Sequence, residues 1–175
     1  MTKILLILSI LWSQISFSQN YNPAKWNASV NYDIADSATI QYSVAIEKGW
    51  HIYSQHTFIK NGPIPTYFNF QPNVNYSLIG ITKESKTTNK KELAYANQVI
   101  SYFQDSAIFI QKIVIKSQNT FNIVSSVSFM VCSDSACLAP ETKEFTISVN
   151  KPTPINTNQS NNTIPFIFIG GFIGG

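Results

Sequence analysis

The chain has 175 residues, of which 44% are hydrophobic and only 12% are charged, and its formal net charge is +3. This composition excludes a disordered chain, because disordered segments combine low hydrophobicity with high net charge. A net charge this small gives no reason to expect binding to nucleic acid or to an anionic lipid surface.

The N-terminal residues 1–18 predict a signal peptide. Lys3 supplies the positive start, residues 4–12 form an apolar run, and Ser16 and Ser18 have the small side chains that a cleavage site needs. The apolar run is too short for a membrane-spanning helix, which needs about 20 residues. Export would place the mature chain in a compartment where disulfides persist.

Residues 19–150 predict one all-β domain. Hydrophobicity alternates with a period of two, and no window of helical length shows an amphipathic stripe. Short strands separated by Gly, Pro and Asn turns are typical of an antiparallel sandwich or barrel, and we favour the sandwich. The predicted strands are 38–47, 50–54, 66–70, 76–81, 107–115, 120–131 and 144–149. The lysine-rich segment KESKTTNKK (83–91) is interpreted as a solvated loop, with a docking patch as the alternative.

Both cysteines of the chain, Cys132 and Cys137, lie in the segment VCSDSACLAP (131–140), at the end of a strong strand. The ring that a disulfide between them would close is small. Its loop-entropy contribution is about 2 kcal/mol, against about 4 kcal/mol for a loop of about 60 residues. An accessible disulfide in a short ring exchanges readily. On spacing alone, a redox-active disulfide and a structural bridge are equally supported.

Other chemistries of these cysteines have less support. Their spacing is not the Cys-x-x-Cys of a thioredoxin, and no βαβ pattern surrounds it. A metal site would also need His51 or His56, and four ligands at a recognisable spacing are absent from the sequence. No nucleophile elbow or triad signature indicates a hydrolase. We therefore expect no cofactor in this domain other than the disulfide itself.

The C-terminal residues differ from the rest of the chain. Residues 151–163 are rich in Pro, Asn and Thr without an apolar period, and they predict a linker. Residues 164–175, IPFIFIGGFIGG, carry no charge. As a helix they would rise about 18 Å, short of the roughly 30 Å of a hydrocarbon core. We interpret them as the start of a truncated transmembrane segment, with an apolar C-terminal strand as the alternative.

Three segments resemble a known family: GWHIYSQ (49–55), NGPIPTYFNF (61–70) and VCSDSACLAPETKEFTISV (131–149). Together with the signal peptide and the apolar tail, they resemble the N-terminal periplasmic domain of DsbD, a family of transmembrane thiol:disulfide interchange proteins, or protein-disulfide reductases. The resemblance implies an immunoglobulin-like antiparallel β-sandwich with a Cys132–Cys137 disulfide that cycles. It also implies that this domain is the periplasmic part of an inner-membrane protein.

The resemblance further implies an electron path. Electrons would pass from cytoplasmic thioredoxin through a membrane domain to a thioredoxin-like domain of the same protein, and from there to this domain. The acceptors would be periplasmic thioredoxin-fold proteins, such as disulfide isomerases and proteins of cytochrome c maturation. Cys137 would form the mixed disulfides and Cys132 would resolve them. The rival function is a secreted or surface binding module whose disulfide is purely structural.

In the family that the chain resembles, aromatic side chains and a cap loop shield the disulfide. The resemblance assigns His51 and Tyr53 to the shielding strand, and His51 stands where a tyrosine is common. The loop KKELAYANQ (90–98) matches the cap region, with Tyr95 as the aromatic candidate and Glu92 as the nearest carboxylate. The Phe-Tyr or Phe-Gly signature of the family's cap is missing from this loop.

Overall fold

A computed structural model describes residues 21–33, 36–92 and 96–150. The predicted signal peptide, linker and transmembrane start lie outside these described residues, and so does Tyr95. Across the described ranges, no helix is long and apolar enough to cross a membrane.

The described residues form eleven β-strands, and these strands make three antiparallel sheets. In chain order the strands are β1 (Ala24–Tyr32), β2 (Ser37–Ile46), β3 (Trp50–Tyr53), β4 (Tyr67–Phe70), β5 (Tyr76–Glu84), β6 (Thr88–Glu92), β7 (Gln98–Phe103), β8 (Ser106–Ile115), β9 (Phe121–Phe129), β10 (Val131–Ser133) and β11 (Glu141–Val149). The first sheet has the order β1-β2-β8-β5, the second β10-β3-β7-β6 and the third β11-β9-β4. The predicted all-β antiparallel class is confirmed.

The first and third sheets pack face to face around the main core. Trp26 on β1 has its ring centroid 5.6 Å from that of Phe109 on β8 of the same sheet and, across the gap between the sheets, 5.2 Å from that of Phe129 on β9. Across the same gap, the hydroxyls of Tyr42 on β2 and Ser125 on β9 are hydrogen-bonded at 2.7 Å. Large aromatic side chains bury about 150–250 Å² each, so this aromatic layer is a major source of the stability of the sandwich.

The second sheet has two faces with different roles. Because side chains alternate along a strand, each of its strands supplies residues to both faces. The buried side chains of this sheet that pack in the main core are those of Ile52, Phe103 and Val131. On the opposite face, Tyr53, Ile100 and Cys132 form a separate buried cluster. One of the two cysteines therefore belongs to a small core of its own.

The structure corrects the interpretation of residues 83–91 as a solvated loop. Glu84 still belongs to β5, and β6 begins at Thr88 and pairs with β7 as far as Glu92. The lysines of β6 lie on an edge strand, where charged side chains discourage pairing with another chain. β6 carries no apolar alternation, so only its backbone pairing with β7 reveals it.

The strand predicted over 120–131 is in fact two strands. β9 ends at Phe129 in the third sheet, and after Met130 the chain enters the second sheet as β10. This transfer places Cys132 on the edge strand of the second sheet, next to β3. β1 and β7, like β6, lie in segments for which the sequence predicted no strand.

Candidate functional site

Cys132 and Cys137 form a disulfide at the edge of the second sheet. Cys132 lies on β10, and the chain turns back after it so that Cys137 makes an antiparallel β-bridge to Cys132. Cys132 is only 1% exposed, whereas Cys137 is an exposed residue. The two ends of one disulfide therefore differ in their access to solvent and to partner proteins.

The turn between the cysteines is held by Ser133. Its hydroxyl oxygen accepts the backbone N–H groups of Ser135 at 3.3 Å and of Ala136 at 3.2 Å. Its own backbone N–H donates to the carbonyl of Ala136 at 2.7 Å. Short polar side chains favour turns because they bond to nearby backbone groups in this way.

The disulfide lies beside a cavity of about 520 Å³ on the outer face of the second sheet. Strand register explains which side chains share this face. Cys132 is opposite His51 between β10 and β3, and Tyr53 is opposite Tyr102 between β3 and β7. The cavity is lined by the disulfide ring and by His51, Tyr53, Lys90, Glu92, Ile100, Tyr102 and Gln104.

His51 is half-buried in this face and has two aromatic neighbours. Its Nε2 atom lies 3.1 Å from the hydroxyl oxygen of Tyr53, within hydrogen-bond distance. The centroid of its ring is 5.2 Å from that of Tyr53 and 5.2 Å from that of Tyr102. These contacts fix the position of the imidazole beside the buried cysteine.

Charged residues surround the opening of the cavity. Lys90 Nζ and Glu92 Oε2 form an ion pair at 3.4 Å, and Asp134 is exposed within the disulfide ring. The pKa of His51 is lowered chiefly by its burial, which disfavours the charged imidazolium. Asp134 and Glu92 act in the opposite direction, and the positive charge of Lys90 lowers the pKa further.

The structure brings most of the predicted site residues together. Cys132, Cys137, His51, Tyr53 and Glu92 all line the one cavity. The predicted cap residue Tyr95 lies outside the described residues. His56 is exposed in the loop after β3 and does not line the cavity.

Several cavity residues were not predicted as part of the site. Tyr102 and Ile100 lie on β7, and Lys90 lies in the segment interpreted as a loop. The aromatic and β-branched run QVISYF (98–103) was a signal that could have revealed β7. Ser133, which holds the turn between the cysteines, was also not predicted as part of the site.

The metal-site alternative finds no support in the part of the chain that the structure describes. No group of three or more His, Cys, Asp and Glu side chains there could hold a metal ion. Both cysteine sulfurs are bonded to each other, and no other cysteine exists in the sequence.

Residues 19–149 match the family described as "Thiol:disulfide interchange protein DsbD, N-terminal". The chain belongs to this family. The resemblance inferred from the sequence is thereby confirmed, and the bonded cysteine pair of this DsbD N-terminal domain is consistent with thiol:disulfide exchange. Among curated protein sequences, none matches the chain.

Solved structures with a similar fold include other domains of this kind. The reduced DsbD N-terminal domain of Neisseria meningitidis is 17% identical, with a TM-score of 0.47 over 67% of this chain and 82% of that one. The same domain in complex with the PilB N-terminal domain is 12% identical, with a TM-score of 0.43 over 69% and 80%. The N-terminal periplasmic domain of ScsB from Proteus mirabilis is 13% identical, with a TM-score of 0.51 over 78% of this chain and 50% of that one. At 13% identity, the similarity to the ScsB domain is evidence for a shared fold and not for a shared function.

Proposed function

We propose that this DsbD N-terminal domain relays electrons to disulfide-bonded proteins by reversible reduction of its Cys132–Cys137 disulfide. The observation that carries this proposal is the difference in exposure between the two bonded cysteines. In a relay, a partner's disulfide must reach one cysteine, while the other must be held ready to displace the partner. Exposed Cys137 suits the first role and buried Cys132 suits the second.

The reduced domain would act in two steps. The thiolate of Cys137 attacks one sulfur of the partner's disulfide, forming a mixed disulfide and releasing the partner's other sulfur as a thiolate. The thiolate of Cys132 then attacks the sulfur of Cys137, which re-forms the internal disulfide and releases the partner's second thiolate. The partner gains two electrons and, from the two thiols of the domain, two protons. Reduction of the domain by its electron donor follows the same steps in reverse.

The surroundings of the disulfide support a relay that works within protein complexes. The cavity opens on one face of a sheet whose other face is fixed in the main core, so a partner would meet a rigid surface. Tyr53 and Ile100 are buried with Cys132 and limit the access of large molecules to its sulfur. Exchange at Cys132 would therefore follow docking at Cys137.

The proposal includes the partners and the location of the domain. The electron donor is a thioredoxin-like domain of the same protein, and the acceptors are periplasmic thioredoxin-fold proteins such as disulfide isomerases and proteins of cytochrome c maturation. The domain is a periplasmic part of an inner-membrane protein-disulfide reductase. Family membership supports these assignments, together with the predicted signal peptide and the apolar C-terminal segment.

The proposed function is tested by trapping the mixed disulfide. Reduced Cys132→Ser protein is mixed with an oxidised thioredoxin-fold disulfide isomerase and analysed by non-reducing electrophoresis. We expect a covalent one-to-one complex that disappears on addition of dithiothreitol. Cys137→Ser, which keeps only the buried thiol, should give far less of it. If Cys132→Ser traps no complex and the wild-type disulfide resists a reduced thioredoxin-like protein, the disulfide is structural and the binding-module function is correct.

A further inference from the structure

The burial of Cys132 raises the problem of where its proton goes. A thiol must lose its proton before it attacks a disulfide, because the thiolate is the nucleophile. Cys132 is 1% exposed and is packed with Tyr53 and Ile100, so bulk water has little access to it. A proton acceptor inside the protein would therefore speed the resolving step.

His51 is placed to be this acceptor. It is the direct partner of Cys132 in the antiparallel ladder between β10 and β3, and both residues line the same cavity. Side chains that face each other in such a pair have Cβ atoms about 4.5–5.5 Å apart, which brings an imidazole nitrogen within reach of a thiol. Imidazole is also the side chain whose ordinary pKa best suits proton transfer near neutral pH.

We propose that His51 accepts the proton of Cys132 in the resolving step and returns it when the internal disulfide is reduced. This inference rests on the proposed relay function. The imidazole takes the proton from the Cys132 thiol, and the thiolate attacks the Cys137 sulfur of the mixed disulfide. The Cys132–Cys137 bond forms, the bond between Cys137 and the partner breaks, and the partner leaves as a thiolate. The imidazolium then gives up its proton to this leaving thiolate or to solvent.

The hydrogen bond between His51 and Tyr53 supports this role. In the tautomer whose Nε2–H donates to the Tyr53 hydroxyl at 3.1 Å, Nδ1 carries the lone pair that can accept a proton. The contacts with the rings of Tyr53 and Tyr102 limit the rotation of the imidazole. A fixed, hydrogen-bonded base is the arrangement that general-base catalysis requires.

The groups around His51 favour an imidazole that is uncharged before the proton transfer. The groups that face it are Tyr53 on β3, Tyr102 on β7, Lys90 and Glu92 on β6, and Asp134 in the disulfide ring. Burial lowers the pKa of His51, which favours the uncharged imidazole, the form that can accept a proton. Asp134 and Glu92 favour the imidazolium once it forms.

The test separates the two steps of disulfide exchange in time. Reduced protein is mixed in a stopped-flow instrument with dithionitrobenzoate, an aromatic disulfide that releases a coloured thiolate. The first release reports attack by Cys137, and the second reports ring closure by Cys132. The variants are His51→Gln, which keeps a polar side chain, and His51→Phe, which keeps the ring packing. His56→Gln is the matched control, because His56 is exposed outside the cavity.

We expect both His51 variants to slow the second release at pH 7 by at least about tenfold, since general-base catalysis contributes about 10²–10⁴-fold. The first release should stay within about twofold of the wild-type rate, because a neutral imidazole adds no charge near Cys137. In wild type, the second rate should level off above the pKa of His51. In the variants, the rate of the second release should keep rising with pH, because the reaction then depends on thiolate that forms without a base. His56→Gln should behave as wild type.

Unchanged second rates and an unchanged pH profile in both His51 variants, with near-ultraviolet circular dichroism like that of wild type, would overturn the inference. The relay itself is judged separately by Cys132→Ser, which should abolish the second release and keep the first. If Cys132→Ser still released both thiolates, Cys132 would not be the resolving cysteine, and the proposed function would fail together with the inference.

Discussion

The hydroxyl oxygen of Ser133 accepts the backbone N–H of Ala136 at 3.2 Å, inside the ring that the disulfide closes. It also accepts the backbone N–H of Ser135 at 3.3 Å. These hydrogen bonds fit the turn of the closed ring, and we expect the reduced turn, which the sulfur–sulfur bond no longer constrains, to form them less fully, so they favour the disulfide. We expect Ser133→Ala to lower the equilibrium constant for re-forming the disulfide in a dithiothreitol buffer by about 2–10-fold, since a hydrogen bond contributes about 0.5–1.5 kcal/mol net.

The control for this prediction is Ser135→Ala. The hydroxyl of Ser135 lies 3.2 Å from that of Ser133, but its removal leaves both backbone hydrogen bonds to Ser133 intact. We therefore expect a disulfide equilibrium close to that of wild type. Equal changes in the two variants would show that the turn is not held by the Ser133 hydroxyl.

Reduction of the disulfide should leave the domain folded. The ring that it closes is short, and its loop-entropy contribution is about 2 kcal/mol. The main core lies on the other face of the second sheet and contains neither cysteine. We expect urea unfolding with and without dithiothreitol to differ by about 2 kcal/mol or less, with an unchanged denaturant slope. A domain that unfolds on reduction would indicate a structural staple instead of a relay.

The sequence predicted the fold class and the strands whose core residues alternate clearly. In β2, Ile40, Tyr42 and Val44 are all buried, with partly exposed residues between them, as the period of two requires. β6 could not be predicted in this way, because every one of its residues is polar or charged. It is a strand only because its backbone completes the edge of a sheet.

The arrangement of the site depended on register, which a single sequence does not reveal. The alternation WHIY showed that His51 and Tyr53 share a face, but not that this face meets Cys132. That contact depends on the separation of β10 from β9 and on the pairing of residues far apart in the chain. A shift of one residue would turn His51 to the main core, since a slip of one position reverses the faces of a strand.

The ion pair between Lys90 and Glu92 should tune which disulfides react at the site. Lys90 is exposed and Glu92 is partly exposed, so the contribution of the pair to stability is small. Its charges nevertheless lie at the opening of the cavity and act on approaching molecules. We expect Lys90→Gln to slow mixed-disulfide formation with the anionic dithionitrobenzoate by about 2–5-fold relative to cationic cystamine at low salt, with the difference fading at about 0.5 M salt.

Glu92→Gln is the reciprocal variant for this prediction. It removes the negative partner and leaves Lys90, so the preference should move toward the anionic disulfide by a similar factor. Both rates are measured in the Cys132→Ser background, which excludes ring closure, by thiolate absorbance for dithionitrobenzoate and by acid quenching and mass spectrometry of the mixed disulfide for cystamine. The same change in both variants, or a preference that does not respond to salt, would contradict electrostatic control at the cavity opening.

Alkaline pH should weaken the sandwich through Tyr42. Its burial is the main cause that raises its pKa from 10.0 to about 12 in the folded domain, and its hydroxyl is hydrogen-bonded to that of Ser125. Because the folded pKa lies above the unfolded value, the contribution of this group is fully present below pH 10. It is then lost as pH rises from about 10 to about 12. The shift corresponds to about 2–3 kcal/mol of unfolding free energy.

Tyr42→Phe separates this effect from general alkaline denaturation. At pH 8, we expect the variant to be about 1–2 kcal/mol less stable than wild type, because the buried Ser125 hydroxyl loses its partner. Between pH 10 and 12, the variant should lose less stability than wild type, since it has no phenol to ionise in the core. Urea unfolding at pH 8 and pH 11 measures both effects, and Tyr67→Phe, at an exposed tyrosine, is the control. Parallel losses in wild type and Tyr42→Phe would mean that another group causes the alkaline unfolding.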